Sequence, residues 1–299
     1  MRIGIKFPSR EIGTDRGVIR DWVLALADTG FTHVVVADHV LGVDAAAHPG
    51  YDAQFPSTGK RAPYKVSDEF HEPLIALGFI TALATQVELS TGVVIGPQRQ
   101  TALLAKQVAE LDLLAGGNMR LVLGTGWNPI EYRALQVDFR TRGARMEAQI
   151  AALRALWTEE TVHQVNEFED ITGVGLAPNA VQRPVPVWLG GWAPVALERV
   201  GRLADGWYYG HDFPPHLADD LGIIARAAES AGRDPDAIGL EGAVEMRDGL
   251  DGMDARAAEW ERLGASHLVI DPQMGGFAGA EHIDVLQRIA ARVGVAKSA

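Results

Sequence analysis

Apolar residues fall along this chain in two alternating rhythms. Short continuous runs occupy 2–7 (RIGIKF), 33–37 (HVVVA), 88–95 (ELSTGVVI), 120–124, 185–189 (VPVWL), 206–209 (GWYY), 238–244 (IGLEGAV) and 267–271 (HLVID). Each is too uniformly apolar for a strand with one wet face, so each predicts a strand buried on both sides. Between these runs the apolar positions recur at three and four, as in Val108, Leu111, Leu114 and Ala115. That period predicts helices over 17–29, 72–84, 100–115, 143–157, 194–203, 215–231, 253–263 and 280–292. Strands and helices in strict alternation predict an α/β fold closed as a (β/α)8 barrel. An open doubly wound sheet is the alternative, but its glycine fingerprint after the first strand is missing, since PSREIGTD stands there.

Two connections are longer than the alternation needs, 41–70 and 158–184. Both leave from the C-terminal ends of strands, the face on which barrel enzymes build their sites, so they are expected to wall a pocket or to serve as loops or subunit contacts. The second is expected to form a hairpin or an irregular excursion. Residues 1–299 are read as one barrel domain. At 47% hydrophobic residues the chain can bury a large core, and its net charge of -12 opposes binding to nucleic acid or an anionic membrane surface. With no cysteine, disulfides, thiolate metal sites and a cysteine nucleophile are excluded. The N-terminus enters a strand at once and no run of about 18 apolar residues occurs, so a soluble cytoplasmic location is expected.

The chemistry gathers at strand ends. RLVLGTGWNPIEY at 120–132 reads as buried strand, glycine turn and helix start, with Gly124 and Gly126 bracketing Thr125 and Asn128-Pro129 as N-cap and first helical position. Such a turn either offers backbone amides to a ligand or only closes a loop. Strand two ends in Asp38-His39, an imidazole beside a carboxylate, fit for proton transfer near neutral pH or for a structural role. Gly92 within strand three predicts a bulge or a close approach to a ligand. Gly190-Gly191-Trp192 opens a helix and suits a phosphate, while Trp207, Tyr208 and Tyr209 either wall a flat ligand or fill the barrel. The remaining histidines lack ligand spacing, so no metal site is expected. Neither a nucleophile elbow nor a Walker loop is present, and Asp38 and Asp271 are the only obvious carboxylates at strand ends. Elimination leaves chemistry carried by a cofactor with a flat redox ring.

Taken together, ADHV at 37–40, STGVVIGP at 90–97, LGTGWNPIEY at 123–132, PNAVQRPVPVWLGG at 178–191 and RLADGW at 202–207 resemble the bacterial luciferase-like family of flavin- and deazaflavin-dependent oxidoreductases. The resemblance covers almost the whole chain and points to the branch that uses coenzyme F420. It implies a (β/α)8 barrel with the ring across its C-terminal mouth and a small organic substrate stacked over the ring. It makes His39 the catalytic residue and Asp38 a cofactor contact. Gly92-Val93 matches a bulge, typically a non-prolyl cis peptide, that supports the ring from behind. Thr125 and Gly126 match the ring-contacting turn, with Trp127 beside them, and Gly190, Gly191 and Trp192 match the phosphate-binding turn. Trp127 stands where the sugar-phosphate dehydrogenases of the family carry glutamate, and Glu198 lies in a region with no basic cluster for a sugar phosphate. The GWNPIEY form is closer to the broad group of F420-dependent reductases and monooxygenases. The alternatives are an FMN-dependent monooxygenase fed by a separate reductase, and a noncatalytic flavin-binding homologue. Lys60, Arg61, Lys65 and Arg99 are candidates to meet the anionic tail of F420. A homodimer is expected from the resemblance.

Overall fold

The computed structural model describes residues 1–52, 64–211, 216–247 and 249–295. The chain runs β1 (Arg2–Lys6), α1 (Arg16–Ala27), β2 (His33–Val36), α2 (Pro73–Leu83), β3 (Glu88–Thr91), β4 (Val94–Ile95), α3 (Thr101–Leu114) and β5 (Met119–Gly124). It continues through α4 (Pro129–Ala134), α5 (Arg142–Thr158), β6 (Val162–Val165), β7 (Asp170–Val174), β8 (Val187–Gly190), α6 (Pro194–Leu203) and β9 (Gly206–Tyr208). Last come α7 (Leu217–Ser230), β10 (Gly239–Glu245), α8 (Met253–Arg262), β11 (His267–Asp271) and α9 (Glu281–Arg292).

Parallel pairing runs β1, β2, β3, β5, β8, β9, β10, β11 and back to β1, which closes a (β/α)8 barrel. β3 and β4 are one barrel strand interrupted at the cis peptide between Gly92 and Val93, and β4 resumes the pairing with β5 through Val94 and Leu123. The surplus at 158–184 contains the antiparallel hairpin β6–β7. Helix boundaries follow local chemistry. Asp15 caps α1 through the amides of Gly17 and Val18, and Glu72 caps α2 ahead of Pro73. One helix was not separated by the periodicity: α4 is only 6 residues long, too short to show a period of its own.

Two apolar layers result. Strands and helices share one shell, with Trp22, Trp157, Trp207 and Trp260 fully buried. Inside the barrel a second cluster joins Val35, Val122, Trp188, Tyr208, Ala243 and Val269, with Val93 packed on it. Below this plug, at the N-terminal end of the strands, Arg120 lies 2.8 Å from Glu88 and 2.5 Å from Glu241, and His33 lies 2.8 Å from Glu241. The Arg120 guanidinium also stacks 4.4 Å from the Trp188 ring centroid. Buried charges are tolerated only when paired in this way, and their position on the face opposite the strand ends marks them as structural.

Candidate active site

At the top of β2 the chain leaves the barrel through Ala37-Asp38-His39. Asp38 turns inward: its side chain is 2% exposed, Oδ2 accepts from the Ile95 amide at 3.1 Å, and Oδ1 accepts from Arg99 at 2.9 Å. It thereby ties the start of α3 and the resumed strand β4 to β2. Arg99 also reaches Glu72 at 2.9 Å, so the structure spends on two carboxylates a cation that the sequence had offered to a cofactor tail. Lys65 is exposed near the mouth, while Lys60 and Arg61 lie outside the described residues.

His39 faces the other way, and its Nδ1 sits 3.3 Å from Oε2 of Glu131 on α4. Glu131 is fully buried and also accepts from the Val40 amide (2.9 Å), the Leu41 amide (3.1 Å) and the Tyr64 hydroxyl (3.1 Å). Burial alone raises its carboxyl, but the bonds from His39 and these amides outweigh that and hold it below the usual carboxylate range. Around the imidazole stand Tyr64 at 4.1 Å between ring centroids, Phe70 at 5.0 Å and Trp127 at 5.6 Å. Tyr64 and Phe70 come from the C-terminal end of the 41–70 connection, which lines the site at these two residues, while 53–63 lie outside the described residues.

Beside this aromatic wall lies a floor made by backbone. Val93 rises between two strand ends that carry no side chain. A Cβ on Gly124 would stand 2.5 Å from Val93 Cγ2, and one on Gly190 2.7 Å from Val93 Cγ1. Under the same residue a Cβ on Gly92 would collide with Val35 Cγ1 at 2.2 Å. Gly126, at φ +65°, turns the chain after β5, and the Tyr132 hydroxyl holds that turn by donating to the Thr125 carbonyl at 2.5 Å.

The third wall is polar. Gly190 and Gly191 lead into α6, whose N-cap Ala193 provides no side-chain acceptor, as a helix start offered to an anion requires. Trp192 donates to the Tyr209 carbonyl at 3.1 Å and lies 4.9 Å from the His211 ring. His211 and Arg247 bind Glu245 at 2.7 Å and 2.6 Å, and Lys6 meets Asp271 at 2.7 Å. Burial would raise the Glu245 carboxyl; hydrogen bonds from His211 and Arg247 reverse this and hold it at about 2.

The structure thus brings His39, Val93, Gly92, Gly124 to Trp127 and Gly190 to Trp192 to one end of the barrel, and sets Asp38 behind it as a brace. Sequence reasoning missed Glu131, Tyr64 and Glu245. Glu131 occupies the third helical position after the Asn128 cap, where a glutamate ordinarily serves its own helix start. Glu245 lies one residue past the predicted end of its strand. Among the described residues no three histidines, aspartates or glutamates gather as metal ligands, and no helix is long and apolar enough to cross a membrane. A floor of Val93 set between glycines, flanked by aromatic rings and an uncapped helix start, fits a planar ring with a phosphate attached.

Comparison with known proteins agrees with this fold. Residues 1–262 match the family described as luciferase-like monooxygenase. An uncharacterised protein of Mycobacterium tuberculosis is 33% identical over 193 residues, covering 64% of this chain and 66% of the relative, so the match spans just under two thirds of that protein. The F420-dependent glucose-6-phosphate dehydrogenase of Nakamurella multipartita is 26% identical over 306 residues, covering 100% of this chain and 81% of its own. The FMNH(2)-dependent dimethylsulfone monooxygenase of Pseudomonas putida is 29% identical over 147 residues, 48% of this chain and 40% of the relative. Among solved structures, an F420-dependent secondary alcohol dehydrogenase in complex with an F420-acetone adduct superposes with TM-score 0.73 at 15% identity, covering 98% of each chain. The chain belongs to the luciferase-like monooxygenase family.

Proposed function

We propose that this protein is an F420-dependent oxidoreductase that exchanges hydride between a deazaflavin ring and a small organic substrate. The observation that carries the reading is His39, held on a buried carboxylate beside a floor of Val93, Gly124 and Gly190. A bound deazaflavin would supply the hydride chemistry. The chain's own residues bind, orient and move protons. Val93 and the glycines around it support the ring from below. The Gly190-Gly191-Trp192 turn and the start of α6 hold its phosphate. Tyr64, Phe70 and Trp127 exclude water above His39 and favour a compact apolar substrate. His39 gives or takes the proton that accompanies hydride transfer. Trp127, where a sugar-phosphate dehydrogenase carries glutamate, argues against a sugar phosphate.

The F420 relative aligns with the full length of this chain, and the FMN-dependent relative with 48% of it, which supports the deazaflavin over the flavin. The second reading is an FMN-dependent monooxygenase supplied by a separate reductase. Parallel titration of the purified protein with F420 and FMN decides between them. F420 is expected to bind at least about tenfold more tightly, near 1.4 kcal/mol. Equal affinity or an FMN preference favours the monooxygenase. We also propose a homodimer, supported by exposed apolar side chains on neighbouring helices, Ile75 (74%) and Phe79 (42%) on α2 and Leu103 (55%) on α3.

A further inference from the structure

We infer that Glu131, with Tyr64 as its regulator, fixes the tautomer of His39 and so makes Nε2 the atom that exchanges a proton with substrate. The last step rests on the oxidoreductase reading; the first rests on geometry alone. Among the described residues every hydrogen bond at the Glu131 carboxylate is one it accepts: Oε1 from the amides of Val40 and Leu41, Oε2 from the Tyr64 hydroxyl and the His39 ring. A buried carboxylate receiving two amides and a phenol is held as the anion, so Nδ1 supplies the proton in its contact. Neutral His39 is therefore the Nδ1–H tautomer with its lone pair on Nε2, which has no hydrogen-bond partner among the described residues. A second proton, added at Nε2, creates an imidazolium already paired with a carboxylate. The same logic governs histidines whose second nitrogen is bound to an acidic partner.

Tyr64 is fixed in turn. Asn128 donates to its hydroxyl at 3.0 Å, which leaves the hydroxyl proton directed at Glu131, while Asn128 Oδ1 caps the Ile130 amide. Tyr64 and His39 thus compete for one oxygen, Oε2. Among the described residues the other titratable or charged groups around the pair are few. Glu131 and Asp52 act on Tyr51, Arg10 stacks on Phe70, and Asp38 is neutralised by Arg99. Tyr51 and Tyr64 are both kept protonated by burial and by the Glu131 charge. Glu131 is thus the negative charge in direct contact with the imidazole.

The competition makes two variants move His39 in opposite directions. Glu131→Gln removes the anion and with it the preference of neutral His39 for the Nδ1–H tautomer. Tyr64→Phe keeps the ring and removes the second donor to Oε2, so the Nδ1–H tautomer becomes more fully populated. Ring-labelled histidine in the full-length protein, followed by NMR with the His39 signal identified through its loss in His39→Ala, reads the tautomer in each variant without any cofactor. Glu131→Asp, which keeps a carboxylate, is expected to recover part of the Nδ1–H population, and it serves if the Gln variant does not fold. An unchanged tautomer population in Glu131→Gln, changes of the same sign in both variants, or a neutral Nε2–H tautomer in the wild type would overturn the inference. With F420 turnover, Glu131→Gln is expected to lower kcat about tenfold or more at nearly constant KM. If neither F420 nor FMN binds, the functional reading falls while the NMR result still decides the pairing.

Discussion

Adding one methyl to the floor of the mouth is a sharp test of its geometry. In Gly124→Ala the new Cβ lies 2.5 Å from Val93 Cγ2, far inside the contact distance of about 3.5–4.0 Å between carbon atoms. Gly124 closes β5 and is buried, so neither the strand nor Val93 below it can yield without disturbing neighbours. Overpacking of this kind costs about 1–3 kcal/mol. Gly190→Ala meets the same side chain from the other side, at 2.7 Å from Cγ1, and should behave alike. Val93→Ala removes both methyls; alone it costs about 1–2 kcal/mol, because Val93 packs on the interior cluster of Val122, Trp188 and Tyr208. Combined with Gly124→Ala it removes the collision, so the alanine at 124 should then cost under about 0.5 kcal/mol. The expected coupling is on the order of 1 kcal/mol or more in favour of the double variant, read from urea midpoints across the four-protein cycle. A parallel F420 titration should show at least about tenfold weaker binding in Gly124→Ala, partly restored in the double variant. Additive stabilities within about 0.5 kcal/mol would show that Val93 does not stand between the two glycines, and the flat-floor account would fall with it.

Replacing His39 with alanine should lower turnover by roughly 100-fold or more while cofactor affinity stays within severalfold, as expected of a proton-transfer group; normal turnover at saturating cofactor would make it a packing residue. Burial, then the nearby Arg120 charge, hold the His267 imidazole down at about 4 against an ordinary 6.5. The unfolded chain therefore takes up a proton below 6.5 that the folded protein refuses. Stability is full above pH 6.5 and is lost as pH falls toward 4, by on the order of 1–2 kcal/mol after allowing for partial exposure. Urea midpoints across that window should decline in the wild type and flatten in His267→Asn; an equal slope in both would remove His267 as the cause. Ile75→Glu with Phe79→Glu should convert a dimer to a monomer in light scattering after size exclusion, with little loss of monomer stability; a wild-type monomer refutes the proposed interface.

Much of the barrel was readable because its cause is local. A parallel strand covered on both faces must be apolar throughout, and a helix laid over it must be apolar at every third and fourth position, so the runs at 33–37, 120–124 and 267–271 announced themselves. Glycines at 92, 124, 126, 190 and 191 were equally visible, since a missing side chain is a property of one position. With the strands parallel, their C-terminal ends had to share a face, and this placed His39 with the glycine turns before any contact was known.

What the sequence could not decide is which groups meet across the mouth. Glu131 and His39 are 92 residues apart, and Tyr64 and Glu131 67 apart, so no local period links them. By position Glu131 is the third residue of its helix, where a glutamate ordinarily serves its own helix start; only closure of the barrel turns it onto the end of β2, where two amides, a phenol and an imidazole claim both its oxygens. Asp38 shows the reverse. Adjacent to the candidate catalytic histidine, it read as part of the site, yet the alternation of side chains at the strand end sends it inward to Arg99 and the Ile95 amide. The chain alone fixed which face would carry chemistry, because apolar periodicity and glycine act through near neighbours. Which carboxylate serves His39 and which serves the framework was decided by tertiary structure, because hydrogen bonds join whatever the closed barrel brings within about 3 Å.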